Sequence, residues 1–268
     1  MPRAEKAGVE TYWSTFGQGP RAALMIHCAL AHSSSWGGMG RALSGALTMT
    51  AFDRPGNGRS ADWDGCGEIQ ELNTRIAASF LDGPADIIGH SFGATVALRL
   101  AVERPDLVRS LVLYEPVFFS VALADRPELR APHEAEMAGY SQGMATGDHH
   151  SAAEGFIRVW GDGRHWADYP EAARASMAAH MPEIEAANPA LYDDVGGMLA
   201  SGALEKIVAP ALLLEGSRSP EIIAAINEGL ATRLGRVERS VIMGAGHMGP
   251  ITHPKQVSAE VLQFLSWT

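Results

Sequence analysis

Little in this chain invites cross-linking. Its 268 residues hold two cysteines, Cys28 and Cys66, which excludes a disulfide framework and a four-cysteine zinc site. Lysine is as scarce: Lys6, Lys206 and Lys255 are the whole set, and the formal net charge is -10. With no basic run, nucleic acid and anionic membrane are poor candidates for the main partner. No apolar stretch approaches a membrane span in length. The opening residues, Met1 to Gly8, lack the apolar centre of a secretion signal. The expectation is a cytoplasmic protein in a reducing compartment. What is present suits a buried core, with 46% hydrophobic against 19% charged residues.

Short β-rich runs alternate with helical patterns through the first hundred residues. Strands are expected at Glu10 to Phe16, Ala22 to His27, Leu47 to Phe52 and Asp86 to Gly89, with a helix over Ile69 to Leu81. Ser91 to Glu103 reads as a helix that stops before Pro105, and Ser110 to Tyr114 as a further buried strand. Continuous apolar strands separated by helices predict a parallel sheet covered on both faces. From residue 117 to 201 the apolar β runs stop, and short helices such as Glu171 to Met181 are expected. The strand pattern returns at Ala211 to Leu214 and Ser240 to Met243, and a last helix runs from Pro254 to Leu265. This predicts one core, residues 1–116 and 202–268, interrupted by a helical insertion over 117–201.

Gly89-His90-Ser91-Phe92-Gly93 carries the chemistry. The G-x-S-x-G pattern between a strand and a helix fits a sharp turn that exposes a strained serine. The helix start favours negative charge, so the Phe92 amide is a candidate oxyanion donor. A glycine-rich turn with a capping serine would give the same string, so context decides. Three further segments supply it: His27-Cys28-Ala29, Asp53-Arg54-Pro55-Gly56-Asn57-Gly58-Arg59-Ser60, and Gly244-Ala245-Gly246-His247-Met248.

With the insertion after the sixth strand, these segments make the chain resemble the capped serine hydrolases of the α/β-hydrolase superfamily. The resemblance covers about residues 10 to 116 and 205 to 268. It implies an α/β-hydrolase fold: a mostly parallel central sheet with helices on both faces and a helical cap inserted after strand six. It implies Ser91 as nucleophile, His247 as general base, and the amides of Ala29 and Phe92 as the oxyanion hole. Cys28 departs from the pattern, standing where the family has glycine, and is read as a small buried residue. The 53–60 loop is expected to be structural, and His253 to cap the last helix region. Aspartate-dependent relatives, the dehalogenases and epoxide hydrolases, are set aside because the elbow carries serine.

The third member of the triad departs as well. The family places an aspartate after strand seven, and Ser219 occupies that position. Glu115, after the sixth strand, is the leading substitute; Glu215, or no acid at all, stays open. Phe118, Trp160 and Met248 are the expected substrate-binding residues, with Phe119 a further pocket wall, favouring an apolar acyl or aromatic substrate. The Asp148-His149-His150 cluster is read as a solvated loop, with no metal and no cofactor expected. The leading function is a serine hydrolase cleaving a small, mostly apolar ester or related carbonyl compound through an acyl-enzyme. Carbon–carbon bond hydrolysis of a diketone, and ligand binding on a retired hydrolase fold, are the alternatives. The partner expected is a small-molecule substrate, with neither nucleic acid nor membrane; a homodimer is left open.

Overall fold

The computed structural model describes residues 2–268. Eight strands form one sheet: β1 Arg3–Lys6, β2 Val9–Phe16, β3 Arg21–Ile26, β4 Leu47–Phe52, β5 Ala85–His90, β6 Val108–Tyr114, β7 Ala211–Gly216 and β8 Val237–Ile242. Their order across the sheet is β1-β2-β4-β3-β5-β6-β7-β8. β1 pairs with β2, and β2 with β4, antiparallel; every other neighbour is parallel. The mostly parallel sheet with helices on both faces is therefore as the sequence predicts.

Alternation along the strands builds two cores. Leu111 and Leu113 of β6 and Leu213 of β7 face the helices Phe92–Glu103 and Glu221–Ala231. Val112, Tyr114, Leu212 and Leu214 face the other way, toward Gly37–Leu43 and Pro254–Leu265. Successive strand residues point to opposite faces, so strands buried on both sides need apolar residues at every position. β5 is buried along its whole length. The two edge strands are exceptions: β8 is buried only at Ile242, and no position is buried in β1, which the polar N-terminal sequence did not announce. Its Arg-Ala-Glu-Lys sequence has no apolar face because it is an edge strand, tied by an Arg3–Glu10 ion pair of 2.9 Å.

Between β6 and β7 the described residues form no strand. Instead there are short helices, among them Phe119–Asp125, Arg130–Glu136, Ala138–Thr146, His149–Trp160, Glu171–Ala179 and Met181–Ala186. The expected helix from Glu171 breaks at His180, because Pro182 at the start of the next helix cannot continue the hydrogen-bond ladder. Among the described residues, no helix is long and apolar enough to cross a membrane.

Candidate active site

The turn after β5 is set by space. A Cβ on Gly89 would lie 2.5 Å from the Ala94 Cα, and one on Gly93 would lie 2.2 Å from the Ile26 carbonyl oxygen. Glycine at both positions lets the helix Phe92–Glu103 start directly against the sheet. Ser91 between them takes φ 57° and ψ -122°, a conformation a residue with a Cβ rarely adopts.

Glu115 follows β6, in register beside β5, and also has a positive φ, 47°. Both strained residues are held through the sheet: the Ser91 N–H donates to the Tyr114 carbonyl, and the Glu115 N–H to the Leu214 carbonyl, each at 2.9 Å. His247 sits in the loop after β8. Its Nε2 lies 2.9 Å from the Ser91 Oγ, and its Nδ1 lies 2.7 Å from a Glu115 carboxylate oxygen. All three side chains are buried.

The other Glu115 oxygen accepts from the Gly216 N–H at 2.7 Å and the Ser219 hydroxyl at 2.5 Å. Ser219, the position where the family places its acid, thus reaches the glutamate instead of the histidine. Glu215, the alternative acid, accepts from Asn227 Nδ2 at 2.7 Å and is not brought to His247.

Two residues that sequence reasoning passed over hold the histidine loop. His90 Nε2–H donates to the His247 carbonyl at 2.8 Å, and the Tyr114 hydroxyl donates to the Gly246 carbonyl at 2.9 Å. Burial pushes the His90 imidazole down to about 3, so it is neutral with its proton on Nε2. The signal was available for His90, since it lies inside the elbow motif. Tyr114 reads as one more apolar strand residue.

Across the turn lies the loop after β3. Neither the Ala29 N–H nor the Phe92 N–H is taken up by a hydrogen bond among the described residues, and both residues border the cavity that holds Ser91. In this loop Leu30 takes a positive φ, 59°, and Cys28 does not, so the side chain at position 28 imposes no left-handed strain. Cys28 is buried, and burial pushes its thiol up to about 12.

The 53–60 loop braces this segment. Asp53 accepts from the amides of Ser33 at 2.6 Å and Arg59 at 2.8 Å. His27 accepts the Arg54 N–H on Nε2 at 3.0 Å and donates Nδ1–H to the Cys28 carbonyl at 2.7 Å. The loop also reaches the helical segment: Arg54 pairs with Glu183 at 2.9 Å, and His180 donates to the Gly56 carbonyl at 2.7 Å.

Above Ser91 a cavity of about 490 Å³ separates the sheet edge from the segment between β6 and β7. Trp160 lines it, with its ring 4.8 Å from that of His247 in an edge-to-face contact. Phe118 does not line it. That side chain is fully buried in the core, and its neighbour Phe119 takes the wall position, stacked on Tyr192 at 4.5 Å. A two-residue step in the chain after β6 carried too little periodicity to decide which phenylalanine turns outward. Met248 is also outside the cavity, because the chain bends into the helix Gly249–Thr252 there. His253 stands at the start of the last helix, but its side chain bonds the Thr252 hydroxyl and caps no amide. No His, Cys, Asp or Glu group among the described residues is arranged to hold a metal ion.

Comparison with known proteins places the chain in a family. The pattern of the Alpha/beta hydrolase family matches residues 23–260, and the chain belongs to that family. It is 29% identical over 261 residues to Lipase LipV of Mycobacterium tuberculosis, covering 91% of this chain and 92% of that one. It is 30% identical over 225 residues to a pimeloyl-[acyl-carrier protein] methyl ester esterase of Neisseria meningitidis, covering 81% and 68%. In fold it is similar to a thermophilic esterase from Thermogutta terrifontis, with a TM-score of 0.71 at 20% identity over 99% and 98% of the two chains. The protein is a hydrolytic enzyme of the esterase type.

Proposed function

We propose that the protein hydrolyses a small, mostly apolar ester through an acyl-enzyme on Ser91. The observation that carries this is the unbroken relay from Ser91 Oγ through His247 to Glu115, at 2.9 and 2.7 Å. Ser91 Oγ attacks the ester carbonyl as its proton passes to His247 Nε2, and the Ala29 and Phe92 amides receive the oxyanion. Glu115 accepts the Nδ1–H, fixing the tautomer that leaves Nε2 free to take a proton, and faces the imidazolium that results. His247 then returns the proton to the departing alcohol. Water repeats the sequence on the acyl-enzyme and frees the acid.

Residues 117–201 act as a cap that closes the cavity over Ser91, and the apolar walls at Trp160 and Phe119 match an apolar acyl chain. The two unpaired cysteines fit a cytoplasmic setting. The test is intact-mass labelling with a fluorophosphonate. A single adduct on the wild type that is absent from Ser91→Ala is expected. No adduct on folded wild-type protein overturns the reading.

A further inference from the structure

The cavity above Ser91 reaches well beyond the reacting groups. The helix Ala138–Thr146 lines it with Tyr140, Ser141, Met144 and Ala145, and Met137, just before that helix, borders it too. Their i, i+3, i+4, i+7, i+8 spacing is one whole helix face, so the cavity follows this helix from end to end. The neighbouring helix His149–Trp160 adds Phe156 and Trp160, one turn apart on its own face.

Glycines fix how the two helices run. A Cβ on Gly143 would collide with the Ala152 backbone, and one on Gly155 with the Tyr140 backbone. The pair is therefore antiparallel and in backbone contact. At one end Met137 meets Trp160, whose Nε1–H donates to its sulfur at 3.2 Å. The Trp160 ring lies 4.8 Å from that of His247, so this end is at the relay. Midway, Tyr140 and Phe156 have ring centres 5.8 Å apart, and the Tyr140 hydroxyl is taken up by Glu185 at 2.6 Å. At the far end Met144 is half-buried beside exposed Ser141 and Ala145, which form the rim. From Met137 to Met144 the helix rises about 10 Å at its usual pitch. An extended hydrocarbon advances roughly 1.25 Å per carbon, so this apolar run matches about eight carbons.

We propose that the substrate's acyl group is an extended chain of about eight carbons, laid along the face of Ala138–Thr146 with Met144 at its end. The proposal rests on the esterase reading of the same cavity and gives its acyl group a length. Each methylene between Trp160 and Met144 leaves water on binding. Carbons beyond the rim return to solvent and gain nothing.

The experiment measures kcat/KM for p-nitrophenyl esters of even-numbered acids from acetate to dodecanoate. A rise of up to about four-fold per methylene is expected as far as octanoate, followed by a plateau. Met144→Asp puts a charge at the chain end and is expected to lower the octanoate-to-butyrate ratio by roughly ten-fold or more. A merely structural role would lower both esters together and leave the ratio in place. Should Met144→Asp fail to fold, Met144→Ser tests the same ratio. Ser91-dependent turnover with a flat profile, or a ratio that neither Met144 variant moves, overturns this inference and leaves the esterase reading standing. So does a series of alkyl acetates in which rates rise with the alcohol as the acyl series stays flat. No turnover of any ester by folded wild-type protein overturns both readings together.

Discussion

The sheet and the helical segment over it solve opposite problems. At the sheet edge, the three residues of the proposed relay are fixed by hydrogen bonds to their backbone: Ser91 to Tyr114, Glu115 to Leu214, and the His247 carbonyl by His90. In the segment between β6 and β7 the cavity wall is made of side chains, with Trp160, Phe119, His133 and Tyr192 held mainly by ring contacts. Backbone constraints fix positions closely and carry the strain of two positive-φ residues. Ring contacts tolerate repacking. The difference suggests where chemistry and where selectivity reside, and substitutions can test that division.

The largest expected effect is at Glu115. Glu115→Gln keeps the shape of the side chain but removes the acceptor that selects the Nδ1–H tautomer of His247. A fall in kcat of about 10⁴-fold is expected, by comparison with other triads, with thermal stability near wild type. Ser219→Ala removes one of three donors to the same carboxylate and is expected to cost roughly ten-fold. Steady-state kinetics on one ester, with a melting curve for each variant, checks both. If Ser219→Ala does more damage than Glu115→Gln, the relay does not end on Glu115.

The same division explains what could be read from the chain. Leu47 to Phe52 and Pro254 to Leu265 match their observed limits because an apolar run stopped by Pro55-Gly56 and a period-3.6 pattern opened by Pro254 leave little freedom. Ser91, Glu115 and His247 come together because β5, β6 and β8 run parallel and a parallel sheet gathers strand ends at one edge; the apolar strands before Ser91 and Glu115 were visible in the sequence, whereas His247 follows the polar β8 and was read from the Gly244-Ala245-Gly246-His247 segment. Phe118 and Met248 were misplaced because side-chain direction in an irregular turn leaves no periodic trace. His133 and Tyr192 drew no notice at all. They are 59 residues apart, and only the packing of short helices brings them together.

The seam between the regions offers the next test. Arg54 is 3% exposed, and its guanidinium lies 4.3 Å from the Phe92 ring centre. Its carboxylate partner, Glu183, comes from the helical segment and also accepts from Asn57 at 3.1 Å. Glu183→Gln leaves that cation buried without its counter-charge, which should destabilise the protein by about 3 kcal/mol. The double substitution Arg54→Met, Glu183→Met is expected to recover most of the loss, since an apolar pair of similar volume needs no compensation. Urea denaturation of the single and double variants measures this. A cost below about 1 kcal/mol for Glu183→Gln would mean that apolar packing alone holds the segment down.

Acid separates the regions more gently. His90 in the core titrates at about 3 and His133 in the segment at about 4, both depressed by burial from an unfolded value near 6.5. Below pH 6.5 the unfolded chain therefore binds protons that the folded chain refuses, and stability falls as pH falls. For each group the contribution is fully present above pH 6.5. It diminishes by up to about 1.4 kcal/mol per pH unit until the folded value is reached. The window is wider for the core residue, closing near pH 3 against pH 4. His90→Gln keeps an N–H for the His247 carbonyl but does not titrate. Its stability should decline less steeply than wild type between pH 6 and 4.5, as read from urea midpoints across that range. His133→Gln should flatten the curve over the same interval and rejoin the wild-type slope sooner, below pH 4. Parallel curves for wild type and His90→Gln would mean that the core histidine is already charged in the folded protein, and the hydrogen bond that holds the His247 loop would then need another account.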